Sequence, residues 1–460
     1  MKATCSTPQN YIRHTLNSIY NSNSEITQKV KVDNFDSHSE SLCRCRESGN
    51  MLSSSLIRTF RCVRGKFLPI SCNQLQKRKF SIPPPGSAVA EVLDAITRLE
   101  LSHPRWPHSL ALTYPWLRDH CRCSQCYNYK TFQRIHDVYK IPLNIRPASV
   151  KTNKEGVVIE WPDGHKSQYD YKFLWQNSFE GKRTSFKEQR VLWTASKFPK
   201  EALTTVPLSE LSNPDKEGMK KLISSIVKYG FGFISEVPAD VESTRAAVEE
   251  ICPLKKTFYG EAWAMEANME YADTAYSKER LGAHTDTTYF SQACRIQVFH
   301  CFLPADQGGE NLLVDGFNVA KQFHDRHPEG YKFLSETALP SEYIEEGRHH
   351  LSLDTIFKHN PATGRIKQFR YNIYDRAPLS SIPLEHMQEF YLHLRNLTSI
   401  VRNPKNEYWI KLEPGKVLLT DNWRLMHGRA AFSGRRIMGG CYLDNDDFNS
   451  KALVLGIDVD

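Results

Sequence analysis

The stretch whose reading decides the fold is His284-Thr285-Asp286-Thr287-Thr288-Tyr289-Phe290. Its β-branched and aromatic residues are of the types that fill strands, and residues two apart on a strand share a face. His284 and Asp286 are therefore expected to present an imidazole and a carboxylate side by side. The pattern His-x-Asp/Glu recurs at His38/Glu40 and at His327/Glu329, so the tripeptide alone decides little. Its surroundings separate the candidates: His38 sits in a polar, serine-rich run, and Pro328 interrupts any strand at His327. A second imidazole follows another strand pattern, Lys416-Val417-Leu418-Leu419-Thr420, which runs through Asp421-Asn422-Trp423-Arg424 to His427-Gly428-Arg429. Two imidazole-bearing strand ends, far apart in sequence, are what a metal site in a β-barrel requires.

Two histidines and one carboxylate on one face of a metal leave the opposite positions open, the arrangement of non-haem Fe(II) oxygenases. The rest of residues 203–460 reads as the frame for such a site. Asn213-Pro214 is expected to open a helix, with proline at its first position. Met219, Leu222, Ile223, Ile226 and Val227 then keep the spacing of a buried helical stripe. Strands are expected at 231–234, 296–302, 312–315, 369–371, 417–420 and 438–443, with helices at 240–251, 316–336 and 383–402. The predicted class is mainly β with flanking helices, a double-stranded β-helix (jelly-roll).

Upstream, Ile82-Pro83-Pro84-Pro85-Gly86 marks a linker, followed by a small α+β domain over 87–185. Cys121, Cys123 and Cys126 lie within six residues, and His165 sits on the turn after a strand pattern at 156–161. Three thiols and an imidazole suit tetrahedral zinc in a closed, structural site. By spacing alone His120 and His136 are rival fourth ligands. The four downstream cysteines, Cys252, Cys294, Cys301 and Cys441, occupy apolar contexts in which free cysteine serves as a small buried hydrophobe. The twelve cysteines thus form no disulfide framework, and a reducing compartment fits.

The formal charge of +8 is unevenly spread. Residues 51–90 hold seven basic side chains and no acidic one, residues 1–50 are nearly balanced, and residues 91–460 carry no net charge. Nothing in the body of the chain asks for a nucleic acid, and no apolar run approaches the length of a membrane span. The serine- and arginine-rich run from Met51 to about 82 has the composition of a mitochondrial presequence. Residues 1–50 read as a disordered or gene-model extension ahead of it.

The motifs WLRDHCRCSQC, WPDGH, FYGEAW, DTAY, HTDTTYF, VDGF, DNWRLMHGR and RRIMGGCYLD together resemble the γ-butyrobetaine dioxygenase family, the Fe(II)- and 2-oxoglutarate-dependent hydroxylases of carnitine biosynthesis, over roughly residues 100–455. The resemblance implies iron on His284, Asp286 and His427, and structural zinc on Cys121, Cys123, Cys126 and His165. It implies that Arg436 pairs with the far carboxylate of 2-oxoglutarate through a bidentate fork. The adjacent Arg435 should point to the other face. Asn311 departs from the family, which carries threonine or serine there. A cage for a trimethylammonium group falls on Tyr259, Trp263, Tyr276 and Tyr442, since a quaternary ammonium donates no hydrogen bond and is held by aromatic faces. Asp273 would pair with an α-ammonium and so favours the trimethyllysine branch over γ-butyrobetaine hydroxylation. Ascorbate use, a homodimer, and a small trimethylammonium amino acid with O2 as reactants follow from the same resemblance, while the expected location, the mitochondrial matrix, follows from the presequence composition. The rival from another class is a silent zinc-containing binder of quaternary ammonium groups, and a sulfonate-type oxygenase of the same fold stands behind it.

Overall fold

Alternation along two neighbouring strands sets the architecture. In Ile296–Leu303, Ile296 and Val298 join one apolar core, while Phe299 and Cys301 join another on the opposite face, which Gln297 shares. In Ile437–Leu443, Cys441 and Leu443 belong to the first core and Met438 to the second, with Tyr442 on that inner face. This is the two-residue period of a strand buried on both sides.

A computed structural model describes residues 59–63, 66–70, 98–181, 189–203, 205–266 and 276–459. The two strands above lie inside a six-stranded sheet ordered Thr205–Pro207, Phe231–Ser235, Lys416–Asp421, Ile296–Leu303, Ile437–Leu443, Ala262–Glu266. Only its first pair is parallel. An antiparallel four-stranded sheet runs Leu281–His284, Leu425–Arg429, Asn311–Asp315, Tyr408–Ile410. Phe231, Phe299 and Leu418 from the first sheet meet Leu313 and Leu425 from the second, so the sheets face each other as in a jelly roll. Helices Glu217–Tyr229, Val241–Glu249 and Asn445–Val454 cover the outside of the large sheet. Gly316–Arg326, Pro328–Glu336 and Leu384–Val401 cover the small one.

Three local expectations are corrected. The helix expected from Asn213 begins at Glu217, after Lys216 in a left-handed conformation (φ 59°). Asn213 and Pro214 belong to the turn before it. The expected 316–336 helix is two helices, because Pro328 starts the second and His327 between them is non-helical; proline lacks the N–H that a continuous helix would need there. The strand at His284 precedes it and ends on it, so Thr285 to Phe290 are not a strand.

The chain divides into two compact units, Met1–Asp94 and Ala95–Asp460. In the first, Thr59–Val63 pairs antiparallel with Lys66–Ile70; the rest of the predicted leader lies outside the described residues. In the second, residues near the start have a core of their own, built from Leu101, Leu110, Val157, Ile159, Trp161 and Tyr169. It covers a three-stranded sheet of Ser149–Thr152, Gly156–Glu160 and Lys166–Asp170.

Candidate active site

The strands Leu281–His284 and Leu425–Arg429 are neighbours, and His284 and His427 are register partners across them. Their ring centroids stand 4.4 Å apart. Asp286 reaches the pair by a turn rather than by strand alternation: Thr287 takes a left-handed conformation, φ 58°, and its Oγ1 accepts the Cys294 N–H at 2.9 Å. Asp286 Oδ1 then lies 3.2 Å from His284 Nε2 and 3.4 Å from His427 Nε2. Burial opposes the charge of Asp286, yet His427 and His284 hold its carboxyl well below the usual carboxylate range. Burial likewise opposes charge on His284, but Asp286 lifts it above the ordinary imidazole value, whereas burial prevails at His427 and lowers it.

The donor set fits a divalent metal. All three ligand atoms lie within 4.8 Å of one another. His284 Nδ1 donates to the Gly282 carbonyl at 2.8 Å, which leaves Nε2 with its lone pair toward Asp286, the usual orienting contact of a metal-binding imidazole. The other carboxylate oxygen of Asp286, Oδ2, accepts from Gln297 Nε2 at 2.5 Å and from the Tyr442 hydroxyl at 2.9 Å. Asn422 fixes the Asp286 backbone from both sides: its Oδ1 accepts the Asp286 N–H at 2.7 Å and its Nδ2 donates to the Asp286 carbonyl at 3.0 Å.

One cavity gathers His284, Asp286 and His427 with Tyr259, Trp263, Tyr276, Tyr442, Arg436 and Asn311. Trp263 and Tyr442 stand with ring centroids 6.3 Å apart, tilted by 50°. The room for Trp263 comes from its register partner Gly440, where a Cβ would lie 2.5 Å from the indole. Tyr276 is buried, and the Tyr259 hydroxyl reaches that of Tyr289 at 3.4 Å. Arg436 is buried with its Nη2 3.4 Å from Asn311 Oδ1, and no carboxylate among the described residues pairs with it. Burial and nearby Arg429 lower it to about 10, so it stays charged at neutral pH. Gly309, at φ 76°, passes close beneath, where a Cβ would sit 3.3 Å from Arg436 Nε. Arg435 points outward instead, its guanidinium on Glu266 at 2.8 and 3.0 Å. Asp273 lies outside the described residues.

A second cluster stands apart from the cavity. His165 Nε2 is 3.3 Å from Cys121 Sγ, 3.6 Å from Cys123 Sγ and 3.5 Å from Cys126 Sγ. The rivals are occupied elsewhere: His120 Nδ1 donates to the Trp116 carbonyl at 2.8 Å, and His136 Nε2 faces Asp119 at 3.2 Å. Burial and the neighbouring thiols push Cys126 up to about 11 against the pull of Arg118. A divalent cation would remove that cost, so the residues suit zinc.

Sequence reasoning did not single out Gln297, Asn422 or Asp375. Gln297 is an amide on the otherwise apolar inner face of its strand, which was a usable signal. Asn422 sits inside a motif that carried the resemblance, but its partners are residues distant in sequence. Asp375 adds a second carboxylate to the cavity wall, its Oδ2 accepting from Asn372 Nδ2 at 2.6 Å.

Residues 192–442 match the model of the Taurine catabolism dioxygenase TauD, TfdA family. Residues 98–175 match the γ-butyrobetaine hydroxylase-like N-terminal model. Trimethyllysine dioxygenase, mitochondrial, of Rattus norvegicus is 40% identical over 348 residues, covering 75% of this chain and 82% of that protein. The Homo sapiens counterpart is 39% identical with the same coverage. Trimethyllysine dioxygenase of Neurospora crassa is 33% identical, over 73% of this chain and 79% of its own length. The fold and site are those of a 2-oxoglutarate-dependent dioxygenase. Within that class, the chain belongs to the trimethyllysine dioxygenase family.

Proposed function

We propose that the protein hydroxylates C3 of free N6,N6,N6-trimethyllysine, converting 2-oxoglutarate and O2 to succinate and CO2 as it does so, the first step of carnitine biosynthesis. One observation carries this reading: four aromatic side chains, a charged arginine without a carboxylate partner among the described residues, and the two-histidine, one-carboxylate set all line one cavity. His284, Asp286 and His427 would hold Fe(II), which with 2-oxoglutarate supplies the activation of O2. Arg436 binds the far carboxylate of 2-oxoglutarate, and Asn311 steadies its guanidinium. Tyr259, Trp263, Tyr276 and Tyr442 surround the trimethylammonium head, and the chain of the substrate then extends across the metal set. Asp375 gives the cavity wall a negative charge suited to the α-ammonium, a role also assigned to Asp273.

Tyr276→Ala is expected to raise KM for trimethyllysine by about tenfold or more, the loss of a desolvated cation–π contact, with the fold retained and a cooperative melting transition. An unmoved KM, determined by mass-spectrometric detection of the hydroxylated product, would remove Tyr276 from the cage.

Cys121, Cys123, Cys126 and His165 would hold structural zinc, which ties the turn at His165 to the segment after Trp116. The purified protein is expected to carry zinc that dialysis leaves in place. Cys126→Ser should lose it and melt at a lower temperature. Full zinc content in that variant would show that the metal sits elsewhere.

A mitochondrial matrix location is supported by the relatives named mitochondrial and by the acid-free basic run over 51–90. Ascorbate use and a homodimer rest on the family resemblance.

A further inference from the structure

We infer that Gln297 and Tyr442 act as a clamp that restricts Asp286 to metal ligation through Oδ1 alone, keeping open a position that a second carboxylate oxygen would fill. The inference deepens the iron site proposed above and rests on it. A carboxylate can bind a metal through one oxygen or both. In a site with only three protein ligands, the second mode closes one of the positions the chemistry needs.

The geometry separates the two oxygens of Asp286. Oδ1 faces both imidazoles, at 3.2 and 3.4 Å. Oδ2 is turned the other way and takes two donors, Gln297 Nε2 and the Tyr442 hydroxyl. These donors are not independent accidents of packing, because Gln297 and Tyr442 are register partners on adjacent strands and share the inner face of the large sheet. The Gln297 amide has one sensible orientation: reversed, its oxygen would meet a carboxylate oxygen. Its Oε1 has no partner among the described residues, so the NH2 contact with Asp286 is what holds the side chain in place. Facing a carboxylate oxygen, the Tyr442 hydroxyl can only donate. The Asp286 backbone is already pinned by Asn422. The remaining freedom of the carboxylate is rotation about its own bonds, and rotation toward two-oxygen ligation breaks both Oδ2 contacts. Tyr442 thereby serves the ammonium cage with its ring and the metal ligand with its hydroxyl, while Gln297 and Tyr442 remain positioning residues toward the metal.

The test uses the full chain loaded with Mn(II) in the presence of saturating 2-oxoglutarate, and reads water-proton relaxation per bound Mn(II). In the wild type a water exchanging on the metal is expected to give a clear inner-sphere contribution. Tyr442→Phe keeps the ring and removes one oxygen; combined with Gln297→Met it should lose that contribution at equal Mn(II) occupancy. Tyr442→Phe alone should lose part of it, with kcat falling and KM for trimethyllysine unchanged. A merely structural role would leave the relaxation per bound metal unmoved. Wild-type relaxation in Tyr442→Phe, and in Gln297→Met wherever it folds, overturns the clamp while leaving the iron site standing. Failure of the wild type to bind Mn(II) in a manner abolished by Asp286→Ala overturns the clamp and the iron site together.

Discussion

Asp286→Ala abolishes succinate formation from 2-oxoglutarate, a loss of more than about 100-fold, since even residues that merely orient a metal ligand are typically worth 10–100-fold. The reason lies in the convergence at this carboxylate. Its Oδ1 is the atom common to both imidazole contacts; its Oδ2 organises Gln297 and Tyr442; its backbone is what Asn422 grips. Removing it deletes the anionic ligand and leaves two neutral imidazoles, a weaker set for a divalent cation. Asn422 still ties the Asp286 backbone to the Cys294 carbonyl, so the fold should survive. Iron content and succinate should therefore fall together while the melting transition stays cooperative. Succinate formed at the wild-type rate would sink the ligand assignment.

The second large effect is at Arg436. A buried guanidinium with no carboxylate partner among the described residues awaits an anion, and truncating one partner of a buried charge pair costs about 2–5 kcal/mol. Arg436→Met is expected to weaken 2-oxoglutarate by roughly 30-fold or more, the lower end of that range at about 1.4 kcal/mol per decade. The variant strands no acid among the described residues, where only Asn311 Oδ1 loses a donor. Its neighbour supplies the contrast: the Arg435–Glu266 pair is exposed, and exposed pairs are worth about 0–1 kcal/mol. Arg435→Ala should leave the KM for 2-oxoglutarate where it was. A large effect at Arg435 with none at Arg436, in initial-rate measurements of succinate, would reverse the assignment.

Much of this site was legible because it is built on periodicity. The stripe Met219, Leu222, Ile223 and Ile226 is buried against the large sheet as its helical spacing predicts, whereas His427 sits on Leu425–Arg429, a separate strand beyond the 417–420 pattern expected there. His284 and Asp286 show the limit. Their spacing put the two side by side through an unbroken strand; they do converge, but the strand ends at His284 and the left-handed Thr287 turns the chain. No propensity marks a threonine for positive φ; the turn is held by Cys294, seven residues on. The roles of Gln297 and Asn422 were harder to read for a related reason, although the place of Gln297 on its strand was a signal. Their roles are hydrogen bonds to a residue supplied by another strand or turn, and a linear pattern records which residue is polar but not what it meets. The break at Pro328 was legible and was overridden by the apolar spacing on either side.

The central claim is that this cavity hydroxylates trimethyllysine. A competition assay tests it most directly: the full chain with Fe(II), 2-oxoglutarate and ascorbate, given equal amounts of trimethyllysine and γ-butyrobetaine, with both products followed by mass spectrometry. The expected result is preferential addition of one oxygen to trimethyllysine, with succinate formed in step. Preferential formation of carnitine from γ-butyrobetaine, or oxygen in neither substrate while the iron is bound, would contradict it.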